Sequence, residues 1–181
     1  MKRVIAWQRL DTPGVEYADL TMSPLRIEGE IVLFDEGTPS AVSYLIDCDA
    51  AGVTSRAVVR LKHQGALTVR TLVRERDGAW RVDGIEAPEL AGVCDVDVAV
   101  TPSTNTLPIR RLGLAIGQGV DVTAAWIQFP SLDVVPLRQS YRRLDQERYT
   151  YDAPDHDFHA NLTVDPDGIV QTYGSLWAQL G

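Results

Sequence analysis

The sequence is poor in the residues that most often announce a chemistry. It holds two cysteines and three histidines among 181 residues. Cys48 and Cys94 form no Cys-x-x-Cys pair, so neither a zinc ribbon nor a dithiol redox motif is present. Both read as buried, reduced thiols. No Gly-x-Ser-x-Gly elbow and no Cys–His signature marks a nucleophile, so no catalytic residue is assigned. No apolar run approaches the ~20 residues of a membrane-spanning helix. The N-terminal run Val4–Trp7 is short of the about 7–15 apolar residues of a secretory signal, so a cytoplasmic location is expected. Positive charge is scarce as well. A net charge of −8 and a pI near 4.8 argue against nucleic-acid binding through the field of the whole molecule.

What the chain does have is short alternating segments punctuated by turns. Val4–Leu10, Glu16–Thr21, Leu25–Phe34, Ser40–Cys48, Ser55–His63, Ala66–Arg74 and Trp80–Val82 read as strands. Asp77-Gly78 is the sharpest hairpin signal among them, because Asp-Gly suits the positive-φ positions of a type I′ turn. Further on, Val120–Phe129, Val134–Leu144, Glu147–Tyr151, Phe158–Val164 and Ile169–Tyr173 continue the series. The tail from Ser175 is ambiguous, and Leu176, Trp177 and Leu180 could make one helical turn. The segment Cys94–Gly113 differs from all of these. Asp95 and Asp97 alternate with Val96, Val98 and Val100; Thr101-Pro102 then breaks the strand. Ser103–Thr106 could cap a helix, and Gly113 stands where a helix C-terminus would want it. The expected fold is therefore mainly β, one domain over residues 1–181, with many antiparallel short strands wrapped around a single central helix near Asn105–Leu112. A curled sheet, a barrel and a sandwich each satisfy that pattern.

Few residues suggest chemistry. Asp95-x-Asp97 puts two carboxylates on one strand face; without a third ligand this reads as a polar outer face. His156 and His159 stand at an odd offset, which sends them to opposite faces of an extended strand, so no metal site is assigned. Tyr141, Arg142, Arg148 and Tyr149 lie on two strands expected to pair. Tyrosines stacked with arginines suit a sugar or phosphate head group, and equally an ordinary outer sheet face.

Ordered motifs along the chain resemble one family. They are Trp7-x-Arg9-Leu10-Asp11-x-Pro13-Gly14, Cys48-Asp49-Ala50, Asn105–Leu112, Trp126-x-x-Phe129-Pro130-Ser131-Leu132, Tyr141-x-Arg143-Leu144, Arg148-Tyr149-x-Tyr151 and Val164-Asp165-x-Asp167-Gly168-x-Val170-x-x-Tyr173. The set is similar to a bacterial glycolipid-binding family. That resemblance implies a spiral β-roll around one helix, a homodimer, and a glycolipid or other amphipathic, lipid-like ligand held between curved sheet and helix. Trp7, Trp126, Tyr141 and Tyr149 are then the expected wall or stacking residues, and Arg110, Arg142 and Arg148 the head-group partners. No cofactor is expected. An enzyme acting on a small or lipid-like substrate and a ligand-free structural dimer module remain the alternatives.

Overall fold

The computed structural model describes residues 1–181. Its strands are β1 (Lys2–Arg9), β2 (Gly14–Met22), β3 (Leu25–Asp35), β4 (Thr38–Cys48), β5 (Thr54–His63), β6 (Ala66–Arg74), β7 (Trp80–Val82), β8 (Ile85–Glu86), β9 (Asp95–Val98), β10 (Gly119–Ile127), β11 (Val134–Arg143), β12 (Arg148–Ala153), β13 (Phe158–Val164), β14 (Val170–Tyr173) and β15 (Trp177–Gln179). One α-helix, α1 (Thr106–Leu112), follows a 3₁₀ turn at Ser103–Asn105.

All fifteen strands belong to one sheet, ordered β8-β7-β6-β5-β4-β3-β2-β1-β15-β14-β13-β12-β11-β10-β9. Neighbours are antiparallel except β9 and β10. The chain therefore walks outward from β1 to one edge, jumps to the other edge at β9, and walks back until β15 closes against β1. Its two ends meet in the middle of the sheet. The tail is thus a strand and not a helical turn: Trp177 pairs with Arg9 and with Tyr173, which gives its backbone partners on both sides.

Alternation on the early strands is clean. In β3, Leu25, Ile27, Gly29, Ile31 and Leu33 point inward while Arg26, Glu28 and Glu30 are exposed. Short reversals make this meander possible. Glu36-Gly37, Gln64-Gly65 and Asp83-Gly84 all have positive φ at both positions, as type I′ turns require. At Asp77-Gly78 only the glycine has positive φ, and the Gly78 N–H donates to Glu75 O at 3.0 Å. This turn is therefore not the type I′ expected; a type I turn is followed there by a left-handed glycine. The true type I′ Asp-Gly is Asp83-Gly84, which opens the short edge strand β8 that the sequence pattern did not reveal.

The sheet is a spiral β-roll, and it buries two cores. The larger contains Trp7, Leu20, Ile27, Ile31, Leu33, Ile46, Val59, Leu61, Trp80 and Leu107. The smaller contains Ile109, Leu137, Tyr141, Tyr149, Tyr151, Leu162 and Val170. Strand β10 serves both, with Ala125 and Ile127 in the larger core and Val120, Val122 and Trp126 packed on the smaller. An edge rolled inside is buried on both faces. The same holds for β9, where Val96 and Val98 enter the larger core. Asp95 and Asp97 consequently point inward on the other side and do not form the outer polar face that alternation suggested. Helix α1 sits at the junction, with Leu107 in one core and Ile109 in the other.

The helix ends where expected. Gly113 is left-handed and its N–H donates to Ile109 O. Its start differs from expectation, because no side chain caps α1. The Thr101 hydroxyl instead accepts from the Ser103 N–H at 2.9 Å, and Asn105 turns its amide back to Pro102 O at 3.2 Å. Cys48 is buried and Cys94 only half-buried, both as free thiols.

Candidate functional site: an aromatic cavity beside a buried carboxylate

Three polar groups link the helix region to the rolled sheet. Asp95, 1% exposed, meets the Arg111 guanidinium at 2.6 Å. Tyr141 OH donates to Asn105 Oδ1 at 2.7 Å. The third group centres on Glu16, which is fully buried. Its Oε1 accepts from Tyr44 OH and lies 2.6 Å from the Thr101 hydroxyl, which in turn lies 2.8 Å from Ser103 Oγ. Its Oε2 has no partner. No cation touches Glu16, and burial pushes its carboxyl up to about 8. Tyr44 reaches it only because Gly29 stands between them on β3: a Cβ there would lie 2.2 Å from the Tyr44 ring.

Asp97 differs from its neighbour Asp95 in having no cation. Its Oδ2 accepts from Gln139 Nε2, and its Oδ1 takes only a long bond, 3.5 Å, from the Thr104 hydroxyl. Gln139 also donates to Tyr151 OH at 3.0 Å, which fixes the amide. Removal from water pushes the Asp97 carboxyl up to about 6.

Asp97 borders a cavity of about 270 Å³. Trp126, Tyr151, Phe158, Tyr173 and Trp177 supply aromatic walls, Thr101 contributes to the lining, and Arg9 and His156 complete it. Tyr151, Phe158 and Tyr173 are mutually edge-on, at centroid separations of 5.8–5.9 Å. Trp126 is held edge-on by His156 at 4.7 Å, and the Arg9 guanidinium lies over Trp177 at 5.9 Å while paired to Asp11 at 2.7 Å. Tyr151, Phe158, Tyr173 and Trp177 come from the consecutive paired strands β12–β15, and the roll of the sheet brings Trp126 of β10 and Asp97 of β9 to meet them. Aromatic faces next to one hydrogen-bonding carboxylate can stack on an apolar ring face and hold its polar edge. No three His, Cys, Asp or Glu side chains converge as a metal cage.

A protein-family model described as "Putative glycolipid-binding" matches residues 4–179. The chain belongs to that family. Among solved structures, a DUF1089-family protein from Pseudomonas aeruginosa is similar at 33% identity, with a TM-score of 0.87 over 95% of each chain. A comparison with curated proteins finds no match. The structural likeness agrees with the mainly β roll described above.

The expected ligand residues occupy varied positions. Trp126 lines the cavity. Trp7 is 0% exposed in the larger core, where its indole N–H donates to Val170 O at 2.8 Å. Tyr141 and Tyr149 are buried in the smaller core, Tyr149 beneath the Arg143 guanidinium at 5.6 Å. Arg110 packs beside Gly168 and donates to Asp167 O and, at 3.4 Å, to Met22 O. Arg142 is exposed on the face of β11 opposite Tyr141, and Arg148 pairs with Asp145 at the surface. Only Trp126 of these seven meets the cavity. Sequence reading passed over Glu16, Gln139, Phe158, Tyr173 and Trp177. The one available signal was the odd composition of Asp95–Val98: two acids on a strand whose valines also demanded burial. Tyr44 and Leu107 are packed in the larger core, and beside the helix Arg110 and Tyr149 share a separate cleft of about 480 Å³ with Ile109, Gly113 and Arg143. The aromatic cavity lies instead between β9–β14 and β15.

Proposed function

We propose that this protein binds a glycolipid by its sugar, in the cavity walled by Trp126, Tyr151, Phe158, Tyr173 and Trp177. The observation that carries the reading is the pairing of those rings with the Asp97–Gln139 hydrogen-bonded pair. Sugars present apolar C–H faces and polar edges, which suits stacking plus a fixed acceptor. The volume supports a single ring. At about 270 Å³ it falls just under the roughly 300–1,000 Å³ of pockets that take drug-sized ligands, so an acyl chain has no room beside the sugar. The chain would leave past Leu176 toward Leu10, whose N–H bonds Leu176 O and whose side chain is half exposed.

The test is titration of short-chain alkyl glycosides followed by tryptophan fluorescence. Trp126→Ala is expected to weaken binding by roughly tenfold, in line with the about 0.5–1.5 kcal/mol of an aromatic contact, and to leave the fold intact. Equal affinity in the parent and in Trp126→Ala would show that the sugar binds elsewhere. For the homodimer implied by the resemblance, the supporting surface is the outer face of β2 and β3. Val15 and Val32 are cross-strand partners there, and both are exposed beside Tyr17 and Phe34.

A further inference from the structure

The inward carboxylates of β9 are treated differently by the fold. Asp95 is neutralised by Arg111. Asp97, one strand period away, has only an amide and a distant hydroxyl, although it lies at the wall of a cavity. The two cavity residues that can carry positive charge are already engaged elsewhere: Arg9 with Asp11 and Trp177, and His156 with the Trp126 ring. A carboxylate held among aromatic rings without a cation is the arrangement that favours a positively charged guest. The ring quadrupoles and the acid attract the same charge, and desolvation strengthens both attractions.

We propose that the sugar this cavity selects is an amino sugar, whose free ammonium group sits against Asp97 Oδ1 and the aromatic walls. The proposal rests on the sugar-binding reading above and narrows it to a ligand class. The ammonium N–H groups supply the donors that Oδ1 lacks, while Gln139 keeps Oδ2 and so fixes the plane of the carboxylate. The ring stacks on Trp126 at the cavity wall. Acetylation of the amine abolishes the charge and with it the attraction to Asp97.

The experiment is calorimetric titration of the full chain at pH 7.5 with the methyl glycosides of glucosamine, N-acetylglucosamine and glucose. The expected result is about tenfold tighter binding of the amine than of either neutral sugar, a charge-assisted hydrogen bond plus a cation–π contact. Asp97→Asn, which keeps the side chain's shape and an oxygen for Gln139, should abolish the preference for glucosamine over glucose, so that the ratio of the two affinities falls to about one. Equal affinities for glucosamine and glucose in the parent overturn the proposal and leave the sugar-binding reading standing. Binding of none of the three overturns both. The comparison of three ligands on the parent protein needs no variant, so it decides the matter even if Asp97→Asn folds poorly.

Discussion

Glu16→Gln should make the protein less stable in acid and more stable in base. Glu16 is fully buried, touches no cation, and has its carboxyl pushed from the ordinary 4.5 up to about 8. The folded protein therefore holds a proton that the unfolded chain releases near 4.5. As pH rises from about 4.5 to 8 the unfolded state loses that proton and the folded state keeps it, so stability falls; above about 8 both are ionised and the loss levels off. The gap from 4.5 to about 8, at ~1.4 kcal/mol per tenfold, amounts to about 5 kcal/mol. Glutamine cannot titrate, and its carbonyl can accept from Tyr44 and Thr101 as Oε1 does. Its amide nitrogen takes the place of Oε2, which has no partner, at a cost of about 1–3 kcal/mol. The parent has already lost about 1 kcal/mol at pH 5, so the variant should be about 0–2 kcal/mol less stable than it there and about 2 kcal/mol or more stable than it at pH 9. At ~2–4 °C per kcal/mol for a chain of this length, the alkaline gain is on the order of 5–10 °C in Tm. Urea denaturation at fixed pH values between 5 and 9 measures both arms. Parallel profiles for parent and variant would mean that Glu16 does not hold its proton in the fold, and the linkage reasoning would fail.

Four further outcomes follow from the packing. Gly29→Ala should cost at least about 1–3 kcal/mol by the overpacking rule, because the new methyl would lie 2.2 Å from the Tyr44 ring and displace it from Glu16; urea midpoints measure it, and an unchanged midpoint would refute the close approach. Arg111→Leu should cost about 3–5 kcal/mol by leaving Asp95 buried and unpaired, and adding Asp95→Asn should recover part of that loss. Arg142→Ala and Arg148→Ala, both at the surface, should leave stability within about 0.5 kcal/mol and sugar affinity unchanged; a clear loss of affinity in either would move the ligand to the outer face of β11 and β12. Val32→Asp should shift any dimer toward monomer in sedimentation without lowering the monomer's Tm, since Val32 is 53% exposed.

Much of the architecture was legible. Strand positions from β1 to β7 and β10 to β14 emerge from period-two alternation and turn residues, and the helix from one break in that period. The failures have a common origin. Asp95 and Asp97 read as outward-facing because alternation has one inside; a rolled edge strand has two. Trp177 read as part of a helical turn because its strand is only Trp177–Gln179, too short to show a period. Arg142 and Arg148 read as ligand partners by their company with tyrosines, yet successive residues on a strand face opposite ways, so Tyr141 turns in and Arg142 out. Glu16 gave no signal at all, being one acid among many on an acidic chain.

By itself the sequence determined that this chain is a mainly β meander with one helix, because local backbone preferences and alternation act over a few residues and are written into each segment. The family was a separate reading, a resemblance carried by ordered motifs, and the family match over residues 4–179 agrees with it. Tertiary structure alone decided where the edge strands go. By rolling β9 and β10 inside and closing β15 on β1, it gave the Asp face of β9 an interior to point into. It also drew together Trp126, Tyr151, Phe158, Tyr173 and Trp177, separated along the chain, around a carboxylate that no cation neutralises. Local hairpins bring four of those rings together, but only the roll of the sheet sets Trp126 and Asp97 against them.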